Sequence, residues 1–273
     1  MNRARVSTAA ADNPWSEDVP AMSARSLSKV YRTRKGPIRA LESISFDIPH
    51  GEFVSVVGPS GCGKSTILKM LAGIVPQSGG SIAIDGNRLI GPSEKVGIVF
   101  QSPVLLPWRT VYDNVLLPVD VRREPRAEAA PRAKMLIELV GLTGFEDRYP
   151  FELSGGMQQR VSICRALITD PAILLMDEPF GSLDAMTREH MNLELQRIWL
   201  EQRKTVLLIT HSIPEAVFLS DRVIVMTSRP GTIDEIVRID LPRPRELDVT
   251  SEERFGQYAK RIRGKFGTKA RYD

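Results

Sequence analysis

The sequence is poor in cysteine and has no long apolar run. Only two of its 273 residues are cysteines, and Cys62 lies inside a glycine-rich motif, which argues against a disulfide framework. No uninterrupted apolar stretch approaches the length of a bilayer span, and residues 1–20 lack the apolar core of a secretory signal. We therefore expect a protein that stays in the cytoplasm.

Neither sign of charge dominates the chain. The net charge is +4 and the pI is about 9.1, but acidic and basic residues are mixed through most of the sequence. We therefore expect no nucleic-acid partner. The basic residues between 260 and 271 form either a solvated helix face with a frayed tail or a weak contact with a membrane surface or partner. With 42% hydrophobic and 26% charged residues, the composition is that of one large globular domain, with or without a subdomain.

The stretch from Phe53 to Thr66 carries the clearest chemical signal. A short apolar run is followed by Gly58-x-x-x-x-Gly63-Lys64-Ser65 and then by apolar residues at helical spacing, which predicts strand, turn and helix. Glycines let phosphate oxygens approach the backbone N–H groups, and the helix N-terminus adds partial positive charge. Lys64 can reach the outer phosphates, and Ser65 can bind Mg²⁺. The pattern indicates a nucleotide phosphate site rather than a chance glycine-rich turn.

The rest of the chain predicts an α/β fold in three regions. Strand patterns at residues 23–31 and 38–48 predict an antiparallel layer, and apolar strands at 173–176, 206–209 and 222–226 alternate with helices, which predicts a doubly wound parallel sheet. Residues from about 102 to 160 contain only helical patterns, at Arg109–Leu117 and Ala127–Val140, which predicts an inserted helical subdomain. The expected regions are a disordered leader (1–21), the main domain (22–232) and a C-terminal strand and helix extension (233–273).

Polar residues follow several of these predicted elements. Asp177 and Glu178 end a fully apolar strand, where ligands bind in open α/β sheets, and two adjacent carboxylates there are costly to keep ionised without a cation such as Mg²⁺. Ser154, in Leu153-Ser154-Gly155-Gly156, is a good helix N-cap residue whatever else it does. Tyr31 ends the first strand, where it either stacks on a nucleobase or is an ordinary core or edge tyrosine.

Taken together, these motifs resemble the ATP-binding subunit of ABC transporters from about Ala24 to Gly231. The resemblance rests on their order and spacing, namely Gly58–Thr66, Gln101, Leu153–Gln158, Asp177-Glu178, Ser182-Leu183-Asp184 and His211. A finer resemblance, to the importer branch that serves nitrate, sulfonate, taurine and similar small solutes, rests on residues 105–115, 214–222, 228–231 and 241–245. Ser212 departs from the family pattern, which commonly has Asp after the histidine.

The resemblance implies a P-loop NTPase fold with a RecA-like parallel sheet core, an antiparallel β layer and an inserted helical subdomain. It implies an ATPase that binds ATP and Mg²⁺. Its implied roles are adenine stacking for Tyr31, catalysis with Glu178 as the base, and contact of His211 with the γ-phosphate. Mg²⁺ would be arranged by Ser65, Gln101 and Asp177. The implied phosphate-binding residues are Gly58, Pro59, Ser60, Gly61, Cys62, Gly63, Lys64, Ser65 and Thr66, and Lys64 and Gln101 are also expected to take part in catalysis.

The resemblance also implies partners. Ser154, Gly155, Gly156 and Asp184 would close over ATP bound to a second copy of the chain, giving a head-to-tail homodimer. A groove beside Gln101 and Ser102–Trp108 would receive a helix of a separate membrane permease, although Trp108 is equally explained as a packed aromatic. An extracytoplasmic solute-binding protein would complete the importer, and the chain would lie on the inner face of the cell membrane.

Cys62 gives a separate hypothesis, because a thiolate at a helix N-terminus two residues from Lys64 would be stabilised. Its alkylation would then inactivate the enzyme, with MgATP protecting; the alternative is a buried inert thiol.

Other functions remain as alternatives. A non-transport ABC protein acting on DNA or ribosomes usually has a long coiled-coil insertion or two cassettes, and a small-molecule kinase needs an acceptor site and has no use for residues 153–156. A degenerate regulatory cassette is opposed by the intact Lys64, Asp177 and Glu178. Export, or another solute class, stays open, because no residue of this subunit touches the solute.

Overall fold

The computed structural model of the chain describes residues 19–181 and 183–267. The strands are β1 (Met22–Thr33), β2 (Gly36–Ile48), β3 (Phe53–Val57), β4 (Gly79–Ile84), β5 (Asn87–Arg88), β6 (Val96–Val99), β7 (Ile173–Asp177), β8 (Thr205–Ile209), β9 (Arg222–Met226) and β10 (Ile233–Arg238). The α-helices are α1 (Lys64–Leu71), α2 (Val111–Val115), α3 (Leu117–Arg122), α4 (Arg126–Leu139), α5 (Gly155–Leu167), α6 (Ala185–Gln202), α7 (Ile213–Leu219) and α8 (Glu253–Gly267).

Most of the predicted leader, residues 1–18, lies outside the described residues, as does Ser182. Ala21, the last residue of that predicted leader, is buried, and its carbonyl oxygen accepts a hydrogen bond from the Asp85 N–H at 3.2 Å. Ala21 therefore belongs to the folded domain, which begins slightly earlier than predicted.

The larger sheet has the order β10-β9-β3-β8-β7-β6 in the described part of the chain. The five strands from β9 to β6 are parallel, and β10 pairs with β9 in the antiparallel direction. Every residue of β3, β7 and β8 is buried, because helices and the smaller sheet cover the two faces. In β3, Phe53 and Val57 belong to one hydrophobic cluster and Val54 and Val56 to another, as alternation along a strand requires. The predicted parallel core is confirmed.

The smaller, antiparallel sheet has the order β2-β1-β4-β5. Its long pair brings Tyr31 of β1 opposite Ile38 of β2, near the end where the two strands are joined by a tight turn. The sequence predicted β1 and β2 as this layer, and the structure adds β4 and β5 to it. The layer places Tyr31 beside the loop that precedes α1.

The helical subdomain contains α2, α3, α4 and the start of α5. The helix predicted from Arg109 is wrong in its first residues: α2 begins at Val111, because the Thr110 hydroxyl accepts a hydrogen bond from the Asp113 N–H at 3.2 Å and caps the helix. Asn114 is buried, and its amide donates to the carbonyl oxygens of Leu106, Arg109 and Thr110 at 3.1, 3.0 and 2.9 Å. Asn114 thereby fixes the segment that precedes the helix.

The C-terminal extension continues the main sheet. Because β10 pairs with β9 along Ile233–Arg238, the predicted boundary at residue 233 separates two strands that are hydrogen bonded to each other. Phe255 and Ile262 of α8 join the same hydrophobic cluster as β3 and β8. The extension is therefore part of the domain core. Within the residues described, none of the helices has the length and apolar character needed to cross a bilayer.

Candidate functional site

The loop between β3 and α1 has the backbone that its glycines allow. Gly61 and Gly63 have φ of +74° and +103°, which side chains other than hydrogen rarely permit. A Cβ atom at Gly63 would also lie 2.6 Å from Leu41 Cδ2. Lys64 folds back over the loop, and its Nζ donates to the carbonyl oxygens of Gly58 and Pro59 at 2.8 and 3.1 Å. The ammonium group is therefore held at the mouth of the loop.

The prediction that Cys62 has a reactive thiol is wrong. Its side chain is only 1% exposed, and burial raises its pKa, outweighing the effect of the nearby Lys64 ammonium. The sulfur packs against Gly58, where a Cβ atom would lie 2.9 Å from Sγ. Helix position and charge alone favoured a thiolate, but packing under the loop removes the water that a thiolate needs. The predicted alternative, a buried thiol, describes the structure.

Two carboxylates meet the loop from the end of β7. Asp177 is 5% exposed and accepts a hydrogen bond from the Ser65 hydroxyl at 3.0 Å. Burial raises the pKa of Asp177, the Ser65 hydrogen bond lowers it, and the charge of Glu178 raises it further. Such a pair is stabilised by a cation, so the donor set of Ser65 and Asp177 fits Mg²⁺, which prefers oxygen ligands.

Glu178 is the centre of a polar triangle. It is a non-glycine residue with φ of +46°, a costly conformation, and its N–H donates to the Ile209 carbonyl oxygen at 2.8 Å. Its Oε2 accepts a hydrogen bond from Gln101 Nε2 at 3.1 Å and lies 3.4 Å from His211 Nδ1. The structure therefore brings Gln101, Glu178 and His211 together, as the sequence predicted.

Gln101 and Glu178 border a cleft of about 670 Å³, whereas His211 lies behind Glu178 and does not line it. The cleft is lined by Tyr31, Arg32, Thr33, Ile38, Ala40, Ser60, Gly61, Gly63, Lys64, Ser65, Thr66, Gln101, Glu178 and Arg229. Tyr31 is 37% exposed at its rim, with Lys29 Nζ 5.1 Å from the ring centroid. Tyr31 is therefore a partly exposed residue of the cleft lining and not a core tyrosine. Gly58, Pro59 and Cys62 are not among the lining residues, and the Cys62 N–H instead donates to the Pro59 carbonyl oxygen at 3.3 Å.

Sequence reasoning missed Arg229 as a cleft residue. Its Nε and Nη2 donate to the Gly61 carbonyl oxygen at 3.2 and 3.1 Å. Two residues later, a Cβ atom at Gly231 would lie 2.0 Å from the Cys62 carbonyl oxygen, and the Gly231 N–H donates to the Ala40 carbonyl oxygen at 3.0 Å. Residues 229–231 therefore brace the loop. The only signal for them in the sequence was their place in the importer-like pattern.

A second missed residue lies behind His211. Glu215 of α7 is buried, and burial raises the pKa of its carboxyl group. It shares a small recess with Arg188, Thr210 and His211. Its Oε1 has no hydrogen-bond partner among the described residues. In the sequence, Glu215 appeared only within the importer-like pattern at residues 214–222, which says nothing of its burial.

The structure does not bring the predicted cap residues to the cleft. Ser154 caps α5 through a hydrogen bond from the Met157 N–H to its hydroxyl at 3.3 Å, and Ser154 and Gly155 are exposed. A Cβ atom at Gly155 would meet nothing within 4 Å. Asp184 caps α6, and hydrogen bonds from Thr187 lower the pKa of Asp184. None of these side chains lines the cleft described above.

Comparison with known proteins shows the family of this chain. The profile of the family described as "ABC transporter" matches residues 41–181. An "Uncharacterized ABC transporter ATP-binding protein MJ0412" of Methanocaldococcus jannaschii is 50% identical over 236 residues, which cover 86% of this chain and 87% of that protein. The chain belongs to the ABC transporter family. It is an ABC ATPase that binds ATP.

Two further relatives of this ABC ATPase are named for transport. An "Aliphatic sulfonates import ATP-binding protein SsuB" of Bacillus cereus is 42% identical over 90% of this chain and 95% of its own length. A "Bicarbonate transport ATP-binding protein CmpD" of Synechocystis sp. is 46% identical over 83% of this chain and 82% of its own length.

Solved ABC cassettes share the fold. The dimeric structure of the cassette MJ0796 has a TM-score of 0.74 and 32% identity, covering 81% of this chain and all of that one. The same cassette in a post-hydrolysis dimer "bound to ADP and Pi" has a TM-score of 0.73 with the same identity and coverage. The ABC ATPase fold predicted from the motifs is confirmed.

Proposed function

We propose that this ABC ATPase powers the import of a small solute, such as nitrate, a sulfonate or taurine, through a separate membrane permease. One observation carries the ATPase part of the proposal: Lys64, Ser65, Gln101, Asp177 and Glu178, from distant parts of the chain, converge on one cleft. The names of the relatives support import, since they concern sulfonates and bicarbonate.

Within the cleft we assign the adenine to the Tyr31 ring and the phosphates to the loop from Gly58 to Thr66. Lys64 gives up its bonds to two loop carbonyl oxygens and donates to the β- and γ-phosphates, an exchange of neutral acceptors for charged ones. The N–H groups of the loop and the start of α1 add further donors. These groups position the triphosphate and neutralise its charge, which is most of what phosphoryl transfer requires.

Ser65, Gln101 and Asp177 would hold Mg²⁺. When bound, the ion would neutralise the negative charge that develops on the phosphates during transfer. Glu178 orients and deprotonates the attacking water, because its carboxylate lines the cleft and is held there by Gln101 and His211. His211 contacts the γ-phosphate from the other side of Glu178.

The site is completed by a second copy of the chain. Ser154, Gly155 and Gly156 are exposed or half-exposed at the start of α5 and lie apart from the cleft of their own chain. The N-terminus of a 13-residue helix can bind the phosphates of an ATP held by the facing copy. Asp184 would lie along the seam between copies. The dimeric cassettes that resemble this chain support such pairing.

A separate membrane permease would be moved by the association and separation of the two copies. Residues 102–108 lie beside Gln101, and Trp108 is 72% exposed, which excludes the alternative of a packed aromatic in the isolated chain. Val104 and Phe151 are likewise exposed. We assign these exposed apolar side chains to contacts with a cytoplasmic helix of the permease. That contact would hold the chain on the inner face of the membrane, and an extracytoplasmic solute-binding protein would deliver the solute.

Reconstitution tests the proposal. The chain would be co-purified with the permease encoded beside its gene and placed in liposomes with MgATP. We expect solute uptake with the wild type and none with Glu178→Gln. We also expect the rate of ATP hydrolysis to rise when the solute-binding protein, with its solute bound, is added. If the rate of hydrolysis does not change when the permease and the solute-binding protein are added, the transport role is contradicted, although the ATPase activity is not.

A further inference from the structure

Two arginines of the C-terminal extension hold the end of α7. Arg245 is 2% exposed, and its Nη1 donates to the carbonyl oxygens of residues 217, 218 and 220 at 2.9, 2.8 and 2.9 Å. Arg243 donates to the fourth oxygen in this row, that of Leu219. The last carbonyl groups of a helix have no partner within the helix. Here arginine satisfies every carbonyl group from residue 217 to residue 220.

The buried guanidinium is suited to this place by its charge. Burial lowers the pKa of Arg245 to about 10, with the like charge of Arg243 as the second cause, so the group stays cationic at neutral pH. A positive charge at the C-terminal end of a helix is favourable, and a buried charge has to be matched by such acceptors. Arg245 Nη2 makes a further bond, to the Leu241 carbonyl oxygen at 3.2 Å.

The backbone of the same residue is tied to another helix. The Arg245 N–H donates to Gln196 Oε1 at 2.8 Å, and Gln196 Nε2 donates to the Arg245 carbonyl oxygen at 2.8 Å. Gln196 is a buried residue of α6. Residue 245 therefore joins α6 through its backbone to α7 through its side chain.

Both helices begin at predicted site residues. Asp184 is the N-cap of α6, and α7 starts directly after His211 with Ser212 as its N-cap. Helix α7 has seven residues and is therefore only about 10 Å long. A displacement of the C-terminal end of so short a helix would also move its first residues and the adjacent His211, whose Nδ1 lies 3.4 Å from Glu178 Oε2.

We propose that Arg245 is a positioning residue for hydrolysis: by holding the end of α7 against α6, it sets where His211 stands relative to Glu178. This inference rests on the proposed function, because it takes His211 as part of the hydrolytic site. Arg245 itself touches neither the cleft nor any group that lines it, so it acts through α7.

The test compares Arg245→Met, which removes every donor, with Arg245→Lys, which keeps the charge and part of the bonding. Arg254→Met is the matched control, since Arg254 is an exposed arginine of the same extension that donates to Asp240. For each variant we would measure kcat, KM for MgATP and the imidazole resonances in a ¹⁵N–¹H spectrum. The chain has three histidines, so His211→Asn assigns the relevant signal.

We expect Arg245→Met to lower kcat roughly 10- to 100-fold, the effect of a small misplacement in a catalytic site. KM should stay within about twofold, because the cleft lining is untouched, and only the His211 resonance should shift. Arg245→Lys should recover at least part of kcat, and Arg254→Met should match the wild type.

A folded Arg245→Met variant with wild-type kcat, or with reduced kcat and an unmoved His211 resonance, would overturn the inference. If that variant does not fold, Gln196→Met replaces it, because this change cuts only the tie to α6, and the same readouts decide. Failure of the proposed function is separate: wild-type turnover by Glu178→Gln would remove the proposed hydrolytic site, and hydrolysis that does not respond to the permease or the solute-binding protein would contradict the transport role.

Discussion

The loop at residues 58–66 and the turn at residues 153–156 differ in how far their own chain completes them. The loop is braced by Arg229 and Gly231, its Ser65 donates a hydrogen bond to Asp177, and it lines the same cleft as Glu178. In the turn, Ser154 and Gly155 are exposed, and the hydrogen bond that caps α5 is the only one that the Ser154 hydroxyl makes among the described residues. On the proposed function, the loop is a nearly finished half-site and the turn is a half-site whose counterpart lies on a second copy. A single copy would then bind nucleotide, whereas hydrolysis would need two.

Replacing the base of the finished half-site should have the largest effect. We expect Glu178→Gln to lower turnover by roughly 10²- to 10⁴-fold, the range that a general base contributes. Because binding is retained, ATP should then trap the dimer. Phosphate release and light scattering after gel filtration measure the two effects. Glu189→Gln, at an exposed position of α6, is the control, and a Glu178→Gln protein that turns over normally would remove Glu178 from the mechanism.

The two half-sites should also respond differently in nucleotide binding. Lys64→Ala removes a charge-assisted hydrogen bond and should weaken ATP binding to the single chain by about 10- to 100-fold. Ser154→Ala should leave binding to the single chain unchanged, because Ser154 is not in its cleft. Titration calorimetry at a concentration that keeps the protein monomeric checks both, with Lys69→Ala on the exposed side of α1 as the control. If both variants lost the same factor in ATP affinity, the loop and the turn would not differ in the way proposed.

The buried carboxylate of Asp177 in the loop's half-site should lower the free energy of unfolding. Burial raises the pKa of Asp177, so the folded state holds this proton more tightly than the unfolded state. Stability therefore falls as pH rises from the ordinary aspartate pKa through the raised value. At neutral pH without nucleotide, Asp177→Asn should raise Tm by roughly 2–4 °C, as for a change on the order of 1 kcal/mol.

Below the ordinary aspartate pKa the difference should vanish, because the carboxyl group is then protonated in both states. Calorimetric scans at two pH values measure this effect. A lower Tm for Asp177→Asn at neutral pH would show that the ionised carboxylate stabilises the fold instead.

The smallest effect is expected at the cysteines. Both are buried, and burial raises the pKa of each thiol. A thiol reagent should therefore label neither cysteine in the native protein within minutes, and both after unfolding in guanidinium. Absorbance of the released reagent counts the labelled thiols. Rapid labelling of Cys62 in the folded chain would mean that the loop opens far more than its bracing by residues 229–231 suggests.

The sequence predicted best those parts of the site whose chemistry is local. The 14 residues from Phe53 to Thr66 contain a buried strand, glycines with positive φ and the start of a helix. The backbone of this stretch therefore follows from short-range preferences. Asp177 and Glu178 end an apolar strand and were placed at the sheet edge by the same kind of reasoning. Ser212 departs from the family pattern, yet it caps α7 as an aspartate would, by accepting a hydrogen bond from the Glu215 N–H at 3.3 Å.

What the sequence did not predict depends on packing between distant segments. Arg229 reaches Gly61 across 168 residues of chain, and no spacing rule connects the two positions. The burial of Glu215 and of Cys62 likewise depends on which segments cover them. For Cys62 the local features favoured a thiolate, but residues 58 and 231 pack against Cys62 and exclude water from it, which reversed that prediction.

The central claim is that two copies complete one nucleotide site, and a mixing experiment tests it most directly. In the Glu178→Gln background, one variant would carry Lys64→Ala and the other Ser154→Arg, each labelled with a different fluorophore. Neither should pair alone on addition of MgATP, because one lacks a loop that binds ATP and the other lacks a turn that can close over it. Mixed, they should form a heterodimer with one intact site, seen as energy transfer. A mixture that stays monomeric, or a Ser154→Arg chain that pairs by itself, would contradict the account.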